Sequence, residues 1–120
     1  LGIPAEPLFR SSYHEVELTA IREGVFFDLM YVNGSLEHQY VFLRKAGRDL
    51  LLVAVNFDDY AVAIDINIPA YAFDFLKVKE GVYEATDLLT KDKDTLGLKR
   101  DGVVRMTLDA RDAVVLKMKV

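Results

Sequence analysis

The segment Leu50-Leu51-Leu52-Val53-Ala54-Val55-Asn56-Phe57 constrains this chain more than any other. Its apolar run is the length of one strand, is bounded by Asp49 and Asp58, and falls far short of the roughly 20 residues that cross a bilayer. A run of this kind is a strand covered on both faces, central in its sheet. A membrane-inserted chain is not expected, and no charged and apolar leader opens the sequence.

The segments around it repeat the strand period with hairpin punctuation. Phe26 to Val32 is rich in aromatic and β-branched residues and ends at Asn33-Gly34, a turn dipeptide. Tyr40 to Lys45 runs into the turn Ala46-Gly47-Arg48-Asp49. Ala61 to Ile68 places Val62, Ile64, Ile66 and Ile68 on one face and Ala63, Asp65 and Asn67 on the other, until Pro69 stops it. Val82 to Leu88 is a further strand. After Asp101-Gly102, Val104, Met106 and Leu108 oppose Val103, Arg105 and Thr107. The last run sets Val114, Leu116, Met118 and Val120 inward against Val115, Lys117 and Lys119, whose lysines suit an exposed face or a sheet edge. Ala70 to Leu76 reads equally as a helical turn or as strand. About seven or eight short strands predict an all-β fold, an antiparallel Greek-key β-sandwich.

One N-terminal helix precedes the strands. Ser12 and Glu15 have capping-box spacing, and Tyr13 to Glu23 ends at Gly24, a natural residue beyond a helix C-terminus. Tyr13, Val16 and Ala20 form a stripe that Leu18 and Ile21 widen, more apolar surface than the edge of a small domain needs. Before it, Pro4 and Pro7 bar a regular element, so residues 1–24 divide as linker and helix from a sandwich at 25–120. The start at Leu1 rather than Met suggests a fragment or processed product.

Composition narrows function mostly by exclusion. With 120 residues, 52% hydrophobic and 28% charged, the chain suits one globular domain with its own core. Fifteen basic against nineteen acidic residues, with no basic tract, argue against nucleic acid as a partner. There is no cysteine, hence no disulfide, thiolate nucleophile or cysteine metal site, and the compartment stays open. His14 and His38 lack zinc-pair spacing, and Ser11, Ser12 and Ser35 have no nucleophile-elbow context. Asp58-Asp59 reads as a solvated polar turn. Asp92 and Asp94 sit in a charged loop with Lys91 and Lys93, without the spacing of a calcium loop. No metal, cofactor or catalytic residue is expected.

The order of phrases resembles the end of an α-amylase-family enzyme, glycoside hydrolase family 13. Ala20-Ile21-Arg22-Glu23-Gly24-Val25-Phe26-Phe27-Asp28-Leu29 is similar to the phrase that follows the family's last barrel helix. Phe42-Leu43-Arg44, Leu51-Leu52-Val53-Ala54-Val55-Asn56-Phe57 and Asp87-Leu88-Leu89 then follow in the order of its C-terminal domain. The resemblance covers Tyr13 to Val120. It implies a non-catalytic accessory β-sandwich whose partner is the upstream catalytic barrel of the same polypeptide, with the helix 13–23 belonging to that barrel's last turn. The catalytic carboxylates of the family lie on barrel strands, and a barrel takes about 250 residues, so none carries over to this sequence.

The implied enzyme acts on α-glucans or related sugars, which leaves aromatic platforms as the remaining binding chemistry. Six Tyr and seven Phe are available, without Trp. Tyr60, in the Asp58-Asp59 turn, and Tyr71, beyond Pro69, are the carbohydrate-binding candidates. An independent carbohydrate-binding module and an interaction sandwich unrelated to glycosidases are the alternatives.

Overall fold

The structure, a computed structural model, describes residues 24–120. The predicted helix Tyr13 to Glu23, with His14 and Ser12, lies outside the described residues. Among those described, eight strands form two antiparallel sheets, the sandwich expected from the alternation. The strands are β1 (Val25–Asp28), β2 (Gln39–Ala46), β3 (Asp49–Asn56), β4 (Val62–Ile68), β5 (Gly81–Asp87), β6 (Lys93–Leu98), β7 (Gly102–Leu108) and β8 (Ala113–Lys119). The large sheet runs β1-β2-β3-β8-β5-β6, and β4 pairs with β7 in a two-stranded sheet across from it.

β3 is central as its composition requires, since β2 pairs along one side and β8 along the other, and all eight of its residues are buried. A two-residue turn joins it to β2, with Gly47 at φ 60°, a conformation glycine takes at no steric cost. β4 and β7 show the predicted one-sided burial: Ile64, Ile66, Ile68, Val104 and Leu108 enter the core, while Asp65, Asn67 and Arg105 face water. Opposite them Leu50, Leu52, Ala54 and Met118 come from the large sheet, so the core between the layers is almost purely aliphatic.

Ala70–Leu76 resolves as a helix, α1, rather than strand. Seven residues are too few for a helix to hold alone in water, so its stability comes from its surroundings. Pro69 offers no side-chain cap, and the Asp101 carboxylate accepts the Ala70 N–H instead, at 2.9 Å. Arg100 donates to the Ala70 carbonyl at 3.2 Å and to Asp74 at 2.6 Å, with its guanidinium over the Phe73 ring. Ala72, Phe73 and Leu76 close one end of the core.

Four readings need correction. The strand Phe26 to Val32 ends at Asp28, whose carboxylate accepts the Met30 N–H at 2.9 Å and starts a 3-10 turn, Met30–Val32. Asn33-Gly34 is therefore not the tip of a tight hairpin and neither residue takes a positive φ. Asn33 is buried and donates to the carbonyls of Leu29 at 2.7 Å and Asn67 at 3.1 Å, tying this loop to the small sheet. The charged stretch assigned to a loop around Asp94 is strand β6, at the sheet edge, where charged side chains stay solvated and discourage pairing with other chains. β8, by contrast, is interior to its sheet despite Lys117 and Lys119, and Val115 on the lysine side is fully buried.

Candidate binding surface

The family-like Asn56-Phe57 phrase builds a joint rather than a reactive site. At the end of β3 the Asn56 side chain, 1% exposed, donates to the carbonyls of Tyr60 and Asp109, each at 3.0 Å. Its Oδ1 accepts the Asp58 N–H and the Gln39 side chain, again at 3.0 Å each. One amide thus ties the β3–β4 turn, the β7–β8 turn and the start of β2 together, with both ends of the group satisfied.

Around it sit the polar residues singled out in the sequence. His38 Nδ1 lies 2.7 Å from Asp58 Oδ1, and Gln39 donates to Asp58 Oδ2 at 2.9 Å. Asp58 is therefore less solvated than a polar turn implies, its side chain being 14% exposed. Asp59 stays in water and pairs with Arg111. Asp94 on β6 accepts the Thr95 N–H at 2.8 Å, and Asp92 lies in the turn before it.

The two tyrosine candidates are both exposed, Tyr60 by 63% and Tyr71 by 61%. They do not share a surface: Tyr60 precedes β4 and Tyr71 follows it, and a seven-residue strand rising about 3.3 Å per residue sets them roughly 20 Å apart. Tyr60 stands in a polar turn. Tyr71 instead joins an aromatic group that sequence reading missed, because its members come from three elements.

Tyr71 and Phe75 are one helical turn apart on α1, their ring centroids 5.8 Å apart. Both rings approach Phe27 of β1, at 6.0 and 5.6 Å, and Tyr31 of the 3-10 turn approaches it at 6.1 Å. Phe27 is buried beneath, while Tyr31 and Phe75 are 62% and 46% exposed beside Tyr71. The result is an exposed aromatic patch over the strand by which the chain enters the sandwich. The rings are inclined to one another by 37° to 59°, so they form a knobbed surface rather than a flat platform. Such relief suits interlocking with protein side chains better than stacking on a sugar ring.

No family model matches the chain, and no curated protein matches it. Its fold is shared with solved structures. A noncanonic maltogenic α-amylase, AmyB, from Thermotoga neapolitana superposes with a TM-score of 0.59 at 10% identity, over 85% of this chain and 22% of that one. The α-amylase of Geobacillus thermoleovorans, solved with acarbose, gives 0.57 at 21% identity, over 87% of this chain and 20% of that one. α-Galactosidase I of Mortierella vinacea gives 0.51 at 15% identity, over 69% and 21%. This chain thus spans about a fifth of the length of the enzymes whose fold it shares.

Proposed function

We propose that this chain is the non-catalytic C-terminal accessory domain of an α-amylase-like glycoside hydrolase, packing on the catalytic barrel of its own polypeptide and stabilising it. The observation that carries this reading is the likeness to amylases over most of this chain but only about a fifth of theirs. It is joined by the ordered phrases from Ala20 to Leu89 and by the aromatic patch at the strand nearest any upstream domain. The carboxylates near the turns and on α1 hold neighbouring segments: Asp58 binds His38 and Gln39, Asp59 binds Arg111, and Asp74 binds Arg100. On this reading Tyr31, Tyr71 and Phe75 are covered by barrel side chains.

The test begins with the coding sequence upstream of Leu1, where a βα-repeating region of about 250 residues is expected. Joined to that region, the sandwich raises the melting temperature of the barrel, and Tyr71→Ala with Phe75→Ala removes part of the gain. By itself the chain releases no reducing sugar from starch. Absence of a βα region, or turnover by the isolated chain, would sink the proposal.

The exposure of Tyr60 and Tyr71 keeps a second reading in view, an independent module that binds α-glucan. Titration with maltotriose, followed by amide shifts in the wild type, Tyr60→Ala and Tyr71→Ala, separates the two. Saturable shifts that either substitution abolishes favour the module, and none at millimolar sugar removes it.

A further inference from the structure

The aromatic patch has a charged border. Val25 of β1 and Lys45 of β2 are register partners, two residues beyond Phe27 and Leu43, whose side chains enter the core. By the strand alternation Val25 and Lys45 stand on that same face, where the sandwich opens. α1 ends beside them, and with Gly47, Phe75, Leu76 and Lys77 they line an open notch of about 240 Å³. Phe75 belongs to the patch and to the notch alike, and Val25 is 52% exposed next to it. The notch is walled by apolar side chains, and its charged side chains are two lysines.

We propose that this notch receives a carboxylate from the upstream domain, an Asp or Glu side chain taken between Lys45 and Lys77, while Tyr31, Tyr71 and Phe75 carry the apolar part of the same contact. The inference rests on the docking reading above and names the chemistry that the opposing surface brings.

Three observations select a carboxylate at this point. The first is conformation. Lys77 follows the last turn of α1 at φ 57° and ψ 51°, the left-handed region where glycine is at ease and a side chain costs energy. Two other residues in that region put their side chains to use: Asp101 accepts the Ala70 N–H, and Arg111 pairs with Asp59. Lys77 has no such employment within the sandwich, and its ammonium donates to none of the carbonyls that end α1. The second is charge. Among the described residues neither Lys45 nor Lys77 forms an ion pair, and the carboxylates of the adjoining elements are engaged elsewhere, Asp28 with the Met30 N–H and Asp74 with Arg100. The third is setting. Val25 opens β1, so a preceding domain is tethered beside the notch. Covering Val25, Phe75 and Leu76 would also exclude water from the lysines, and a carboxylate brought with the cover offsets the cost of burying their charge.

The polypeptide extended upstream of Leu1, compared with this chain alone, tests the inference. Lys45→Glu with Lys77→Glu is expected to lower the melting temperature of the extended protein by about 2 °C more than that of the chain alone, and the difference should shrink in about 0.5 M salt. Lys77→Gly gives a second measurement, because it relieves the left-handed strain. It should raise the melting temperature of the chain alone and lose that gain in the extended protein. Equal effects of these lysine variants in both contexts would overturn the carboxylate site. If Tyr71→Ala with Phe75→Ala still weakened the extended protein, the docking reading would stand without it. Indifference to the aromatic pair as well would overturn both.

Discussion

Gln39 and Asn56 face each other as register partners at the end of the β2–β3 ladder, and their side chains share a buried 3.0 Å hydrogen bond. The pair converts the end of a central strand into an anchor for two turns. Asn56→Ala removes four hydrogen bonds at once and leaves the carbonyls of Tyr60 and Asp109 to find other partners. A loss of about 2 to 4 kcal/mol is expected. Urea denaturation checks it, with Asn56→Asp also destabilising because a carboxylate cannot donate to those carbonyls.

The carboxylate of Asp49 is almost covered and lies 2.5 Å from Lys119 Nζ, while the lysine itself is largely in water. Lys119→Ala leaves a nearly buried charge unpaired, at a cost of about 1 kcal/mol once solvent screening is allowed for. Adding Asp49→Asn should recover part of that loss. A double-mutant cycle measures the coupling, and strict additivity would show that the pair does not act as one.

The Arg105 guanidinium grips Asp65 with two hydrogen bonds, of 2.6 and 3.2 Å, and these bonds hold the Asp65 carboxyl below its ordinary value. Arg100 does the same for Asp74. A carboxyl depressed in the folded state contributes stability above its unfolded pKa, and that contribution is lost as pH falls through the folded value. These pairs therefore support the fold at neutral pH, and their support begins to fade as pH falls below about 4, through the depressed folded values. Carbon-detected titration of Arg105→Gln should show the Asp65 midpoint moving up, with the Asp74 midpoint unchanged.

Ile66 is fully buried between the sheets, and its neighbours Asp65 and Asn67 are exposed. Ile66→Ala should cost about 3 kcal/mol, from lost transfer energy and the cavity left behind. Asn67→Ala tests a different link, since its backbone N–H, which donates to the Asn33 side-chain oxygen at 2.8 Å, survives the change. It should cost less than half as much, and thermal melts of the two variants rank them.

Period and punctuation carried most of the strand inventory. The alternation from Val62 to Ile68 and from Val103 to Leu108 is local, because burial on one side repeats every second residue and can be read along the chain. The same holds for β3, whose uninterrupted apolar run announces a strand with two covered faces. β6 was illegible for the complementary reason. An edge strand is paired on one side and solvated elsewhere, so Lys93-Asp94-Thr95 looks like loop. α1 stayed open between helical turn and strand because its cap and its buttress, Asp101 and Arg100, come from about thirty residues downstream.

Residue types alone thus settled that this chain is an antiparallel sandwich with β3 at its centre, since backbone pairing and apolar burial impose patterns of short range. The insertion of β8 between β3 and β5, the Asn56 joint and the gathering of Phe27, Tyr31, Tyr71 and Phe75 into one patch arose only on folding. Each depends on contacts between segments far apart in the chain, which no periodicity records. Tyr71 could be picked out as exposed; its partners could not, because a surface is defined by what three dimensions bring together.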